Sequence, residues 1–184
     1  MDKNVEKIKN CIRDNDPAAI ELLYDMLGTR IYRTLTAILC SETDAQDIMQ
    51  DLFIRLARKR NLLLRADNLS AYVMTIARNM ARSHLKSRSR REYREKYLEN
   101  YENILCAKNS EAASTGTIDI EEIELALRKL PLKQREIVSM KCFQGMTFLE
   151  IGDTLRISQN TVASRYRYGI DKLRISLRDL YENK

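Results

Sequence analysis

Apolar residues recur at three- and four-residue intervals along most of this 184-residue chain. That spacing marks the buried stripe of an amphipathic helix. Ile20, Leu23, Tyr24, Leu27, Ile31, Leu35 and Ile38 form one such series, and Asp16-Pro17 opens it. Asp suits an N-cap and Pro the first helical position, so a helix is predicted to Leu39. A second helix is predicted from Thr43, with Gln46 completing a capping box. It buries Ile48, Leu52, Phe53 and Leu56 and leaves Asp47, Gln50, Asp51 and Arg55 off the stripe. A third runs from about Ser70 to Lys86, burying Val73, Ile76, Ala77 and Met80. Its other side carries Thr75, Arg78, Asn79, Arg82 and Lys86.

The pattern changes over residues 92–117. The segment REYREKYLENYENILCAKNS is compatible with continued helix, but EAASTGT has no apolar period and reads as a flexible linker. A second helical block starts near Ile118. Pro131 opens a helix that ends before Gly145. Thr147 and Glu150 form a capping box for a short helix to Leu155, and Ser158 caps a last helix ending near Leu180. The expectation is an all-α protein: two small helical domains and a flexible linker, with a helix-turn-helix in the C-terminal domain.

Composition narrows the class. Gly (5) and Pro (2) are scarce, which disfavours a turn-rich β fold. The net charge of +6 is modest, but its distribution is uneven. From 76 to 91 the chain carries Arg78, Arg82, Lys86, Arg88, Arg90 and Arg91 and no acid, as a polyanion-binding face would. Cys11, Cys40, Cys106 and Cys142 have no C-x-x-C spacing, and His84 is the only histidine. Neither a zinc site nor a Cys–His or Ser–His–Asp set is expected, and no Gly-rich phosphate loop is present. The expectation is a non-enzyme with no cofactor, no metal and no small-molecule substrate. The polar start, the absence of an apolar run near 20 residues and the unpaired cysteines point to a cytoplasmic chain with reduced thiols.

In the helix-turn-helix, Ile151, Leu155, Ile157 and Val162 are expected to pack the two helices together. Asn160, Ser164, Arg167 and Asp171 lie opposite Val162 at 100° per residue. Asn, Ser and Arg can read base edges in the major groove, while Thr147, Ser158 and the helix N-terminal amides can hold phosphates. The same residues also fit a packed helical pair with a solvated polar face. Arg156 stands at a turn position where Gly is usual.

The segment LPLKQREIVSMKCFQGMTFLEIGDTLRISQNTVASRYRYGIDKLR (130–174) resembles the region-4 DNA-binding domain of bacterial RNA polymerase sigma factors. DAQDIMQDLFIRL (44–56), followed by LSAYVMTIARNMARSHLKSRSRR (69–91), resembles region 2 of the same proteins. Order and spacing fit the compact extracytoplasmic-function (ECF) group. The resemblance implies that 1–91 forms region 2, 92–117 the linker and 118–184 region 4. It implies a transcription initiation factor that binds core polymerase, directs it to −35/−10 promoters and helps melt the DNA. Asp47, Gln50, Asp51, Ile54 and Arg55 would dock on the clamp coiled coil of the polymerase, and region 4 on its flap. Asn61, Leu62 and Leu63 would sit in the loop that captures a flipped −10 base. Thr75, Asn79 and Ser83 would face the non-template strand, with Arg78, Arg82, Lys86, Arg88, Arg90 and Arg91 in a basic track beside it. The −35 set would be Thr147, Ser158, Asn160, Thr161, Ala163, Ser164, Arg165 and Arg167, Ala163 standing where the family often has Lys or Arg. An anti-sigma factor, often membrane-bound, is a further implied partner. The alternative is a stand-alone helix-turn-helix regulator, which leaves the motifs at 44–91 without a role.

Overall fold

A computed structural model describes residues 3–99 and 120–182. The N-terminal group comprises α1 (Lys3–Arg13), α2 (Ala18–Leu39), α3 (Glu42–Arg58), a short 3₁₀ helix (Arg60–Arg65) and α4 (Leu69–Glu99). The C-terminal group comprises α5 (Ile120–Arg128), α6 (Leu132–Gln144), α7 (Phe148–Leu155) and α8 (Gln159–Glu182). The all-α expectation holds. Part of the predicted linker, from position 100 to 117, lies outside the described residues, as does Cys106.

Local chemistry explains most of the boundaries. The Asp16 carboxylate accepts from the Ala18 amide at 2.9 Å and fixes the start of α2. Cys40 ends α2 in the left-handed region (φ 51°), its amide donating to the Thr36 carbonyl at 2.7 Å. That reversal leaves Ser41 extended, and its hydroxyl accepts from the Asp44 amide at 3.2 Å. Ser41 is therefore the cap of α3, two positions before the expected Thr43. Asn68 caps α4 by accepting from the Ala71 amide at 3.0 Å. α4 continues past the predicted Lys86 to Glu99, through a segment with neither Gly nor Pro to stop it. α1 was not predicted; Ile8 and Ile12 tie it to the core.

α2 is the central element. Leu23, Leu27, Ile31, Leu35 and Ile38 are all buried, against Leu52 and Leu56 of α3 and Val73 and Ala77 of α4. Each such side chain contributes about 1.5–3 kcal/mol of burial. Ile76 and Met80 of α4 are only half-buried, and Met74, unpredicted, is fully buried. The same apolar cluster continues into the C-terminal group through Ile137, Met140, Met146, Ile151 and Val162. A smaller cluster joins Ala37 and Cys40 of α2 to Leu127, Leu130 and Val138. The two helical groups are thus packed on each other through α2 and α6.

The helix-turn-helix forms from α7 and α8. Its turn depends on Gly152, where an added Cβ would stand 2.8 Å from the Ile157 carbonyl oxygen. Gly152→Ala gains about 1 kcal/mol of helix propensity, but the clash is with backbone and cannot be relieved by a rotamer. We expect the clash to win and Tm to fall, by about 2–4 °C per kcal/mol of net loss. Thermal unfolding followed by circular dichroism checks this, and an unchanged or raised Tm would contradict the close approach.

Candidate nucleic-acid interface

The α7–α8 unit is held by two caps. Thr147 Oγ1 accepts from the Glu150 amide at 3.2 Å, and the Glu150 carboxylate accepts from the Thr147 amide at 2.8 Å. Ser158 Oγ accepts from the Thr161 amide at 3.2 Å. Between the caps Arg156 adopts φ 55° and ψ 48°, the left-handed turn position anticipated for it, at roughly 1–2 kcal/mol. Ile151 and Val162 are buried as the seam of the pair, with Leu155 and Ile157 half-buried beside them.

The outer face of α8 presents the polar residues the spacing placed there. Asn160, Arg167 and Asp171 are exposed, and Thr161, Ala163, Ser164 and Arg165 are half-buried. Two hydroxyls are already engaged: Ser164 donates to the Thr161 carbonyl at 3.1 Å, and Thr161 Oγ1 lies 2.8 Å from Ser158 Oγ. Asp171 lies 3.9 Å from Arg174, further along α8. Two exposed side chains escaped the sequence reading, Tyr168 beside Arg167 and Leu149 in the first turn of α7. An aromatic next to an arginine on the polar face of the last helix is the signal that could have found Tyr168. On the inner side of α8, the Tyr166 ring packs against Phe148 at 5.3 Å, tilted by 54°, with Lys141 over the Phe148 ring. Burial pushes the Tyr166 phenol up, the nearby Cys142 adds to the rise, and Arg174 opposes it.

On α3, Asp47, Gln50, Asp51, Ile54 and Arg55 are all exposed on one side, and Ile54 is an exposed large apolar residue among them. An open groove of about 590 Å³ between α2 and α3 adjoins this side. Tyr24, Tyr32, Met49 and Phe53 line it, with the Tyr24 and Phe53 rings edge-on at 5.0 Å.

The α4 face is less open than its sequence implies. Asn61 and Leu62 are exposed on the 3₁₀ helix, but Leu63 is buried and belongs to the core, so of the three residues expected to meet a base only the first two are open to a partner. Asn79, Ser83 and Lys86 are exposed. Thr75 is half-buried and donates to the Ala71 carbonyl at 2.8 Å. Arg78 is buried: its Nε and Nη2 donate to the two carboxylate oxygens of Glu136 at 3.2 and 3.3 Å. Arg82 Nε lies 3.6 Å from the same carboxylate. Asp44 takes a second pair of partners, the His84 imidazole and the Arg88 guanidinium, each at 3.3 Å. Glu136 and Asp44 both escaped the sequence reading. Nothing in the pattern around Glu136 distinguishes it from a solvated helix charge.

The capping box acts on the charge of Glu150. The Thr147 backbone amide, then its hydroxyl, hold the Glu150 carboxyl below the ordinary 4.5; burial opposes, and Asn68 and Lys141 assist. A carboxyl depressed on folding contributes stability above its unfolded pKa and loses that contribution as pH falls through the folded value. We expect Glu150→Gln to lower stability at neutral pH by a few tenths of a kcal/mol after solvent screening. The difference should vanish in acid below the folded value. Urea unfolding at both pH values checks this, and a pH-independent difference would contradict it.

Comparison with known proteins gives a consistent picture. The family model described as Sigma-70 region 2 matches residues 23–91, and that described as Sigma-70, region 4 matches residues 126–174. The ECF RNA polymerase sigma factor SigW of Bacillus subtilis is 24% identical, with 98% of this chain and 100% of that protein covered. The ECF RNA polymerase sigma factor SigL of Mycobacterium tuberculosis is 22% identical, at 90% and 92% coverage. Among solved structures, the sigma factor RpoE of Bartonella quintana, in complex with the anti-sigma factor NepR, matches with a TM-score of 0.69. That match has 19% identity and covers 88% of this chain and 98% of that one. CnrH, in complex with the cytosolic domain of CnrY, matches with a TM-score of 0.66 and 18% identity, covering 96% of this chain and 99% of that one.

Proposed function

This chain belongs to the sigma-70 family of RNA polymerase sigma factors, in the ECF group, and from that premise we propose how its parts divide the work of transcription initiation. Residues 1–91 act as region 2, 92–117 as the linker and 118–184 as region 4. The α3 face of Asp47, Gln50, Asp51, Ile54 and Arg55 docks on the clamp coiled coil of core polymerase, and region 4 docks on the flap. Exposed Ile54 within a mixed polar face supports a protein partner there. Asn61 and Leu62 receive a flipped −10 base, and Thr75, Asn79 and Ser83 face the non-template strand. Lys86, with Arg78 and Arg82 once released, tracks its phosphates. Asn160, Ser164 and Arg167 read −35 base edges, with Thr147, Ser158, Thr161 and Arg165 on the flanking backbone.

The observation that carries this reading is the presence on one chain of two different features suited to nucleic acid: a basic stretch of α4 over 76–91 with no acid of its own, and a doubly capped helix-turn-helix. A stand-alone helix-turn-helix regulator needs only the second. The protein works in the cytoplasm as an initiation factor, not as an enzyme. Among the described residues no helix is long and apolar enough to cross a membrane. An anti-sigma factor is a further proposed partner, supported by the structural neighbour RpoE, which was solved with the anti-sigma factor NepR.

The direct test mixes purified chain with core polymerase and genomic template and maps transcript starts. Starts that cluster behind a shared −35/−10 pair only when the chain is added support the reading. Tight duplex binding by the chain alone, with polymerase adding nothing, would support the stand-alone regulator instead. Asp51→Arg should weaken polymerase binding and leave −35 duplex binding intact; unchanged polymerase affinity would remove the α3 face from the docking role. Arg167→Ala should cost about 1–3 kcal/mol and relax preference at one −35 position. Competition against single-base variants of the mapped element reads this, and an unaltered preference would take Arg167 out of the base-reading set.

A further inference from the structure

We infer that Arg88, Arg128 and Arg135 form a binding site for a diphosphate group, inorganic or carried by a small nucleotide, in the cleft where α2 ends. The cleft has a volume of about 470 Å³, within the roughly 300–1,000 Å³ of small-molecule sites. Arg88 and Ser89 come from α4, Arg128 from α5 and Arg135 from α6, set around the turn of Cys40 and Ser41. Arg128 and Arg135 have no part in the promoter roles proposed above.

Two of these three guanidiniums meet only neutral acceptors. Arg128 Nη2 donates to the Cys40 carbonyl at 2.6 Å, and Arg135 Nη1 donates to Cys40 Sγ at 2.7 Å. The thiol itself donates to the Ala37 carbonyl at 3.5 Å, so it faces Arg135 as a neutral group. Arg135 Nε is buried without a hydrogen-bond partner. Among the described residues neither Arg128 nor Arg135 pairs with a carboxylate. Arg88 lies 3.3 Å from Asp44, which His84 also approaches. Capping the end of α2 accounts for part of this charge. A helix C-terminus offers about half an elementary negative charge, against the two full positive charges of Arg128 and Arg135. A charge withdrawn from water without a counter-charge is costly, and a bound anion removes that cost.

The chemistry of the lining selects the ligand. A guanidinium carries several N–H donors in a planar fork that matches phosphate oxygens. Arg128 and Arg135 each spend one nitrogen on Cys40, which leaves further donors for a ligand. Ser41 Oγ accepts from the Asp44 amide, so its own proton can go to a ligand oxygen. Cations on three separate helices suit two linked phosphoryl groups better than one small tetrahedral ion, because the acceptors then point in several directions. Leu85, half-buried in the same lining, gives an attached nucleoside an apolar contact. DNA is the poorer fit. Arg128 and Arg135 converge on buried Cys40 in a cleft between helices, not along an outer face.

The test is isothermal titration calorimetry of the full chain with inorganic pyrophosphate, adenosine diphosphate and sulfate at one ionic strength. Pyrophosphate should bind at one site per chain, about tenfold or more tighter than sulfate. Adenosine diphosphate binding tighter than pyrophosphate assigns the site to a nucleotide; equal or weaker binding assigns it to the inorganic ion. Arg128→Gln and Arg135→Gln should each weaken pyrophosphate about tenfold, the worth of one hydrogen bond to a charged group. Lys7→Gln removes the same charge from an exposed position on α1 and should leave binding unchanged. Should an arginine variant fail to fold, Ser89→Glu decides, since it sets a carboxylate at an exposed position in the lining and should also weaken binding. Equal weakening by Lys7→Gln, or sulfate bound as tightly as pyrophosphate, would reduce the effect to general attraction and overturn the site. No saturable binding below about 1 mM would overturn it too. An oligodeoxythymidylate that loses affinity in both arginine variants, with pyrophosphate not binding, would place the arginines on a nucleic-acid face instead.

Discussion

A buried carboxylate with two guanidiniums around it fixes how the halves of this molecule meet. Glu136 comes from α6, Arg78 and Arg82 from α4, and neither Glu136 nor Arg78, both buried, could remain in that environment alone. An unpaired charge at that depth would cost several kcal/mol. The pair therefore dictates that the C-terminal group lies with α6 against the N-terminal helices and α7 beside the start of α4. The apolar seam through Ile137, Met140 and Met146 then closes around it. The ion pair supplies register, and the apolar contact supplies most of the attraction.

That division has consequences for function. Under the proposed function, the halves adhere in the free chain and part when a larger partner draws them to a promoter. Binding to polymerase shifts such an equilibrium only by its preference for the open form. The α3 docking face and the outer face of α8 are both exposed in the closed arrangement. In the proposed roles, first contact with polymerase or with −35 duplex need not wait for the halves to part, whereas use of the buried Arg78 on α4 must.

Much of the local structure was legible in the sequence because it is set by neighbours within four residues. Asp16, the Thr147–Glu150 box, Ser158 and Gly145 announce helix ends through hydrogen bonds or backbone freedom that the residue type alone determines. The α8 face was legible for the same reason, since 100° per residue places Asn160, Ser164 and Arg167 without tertiary knowledge. Thr43 misled because Ser41 is as good a cap, and the left-handed Cys40 decided between them. Leu63 was assigned to a base-capturing loop by likeness, but an apolar residue in a one-turn 3₁₀ helix has the core as a competing partner, and the core holds it. Arg78 and Glu136 were illegible as a pair. They are 58 positions apart, and each alone looks like a solvated helix charge. Periodicity identifies a buried face but not which distant helix covers it.

The distance between the two halves is the most direct measure of this account. Spin labels on non-natural residues at Arg58 of α3 and Lys172 of α8, both exposed, would report it by pulsed electron resonance without disturbing the native cysteines. The account predicts one short distance in the free chain and one much longer distance when the chain is bound to core polymerase. The same short distance in both states would contradict it, because a chain closed by Glu136 cannot hold both promoter elements.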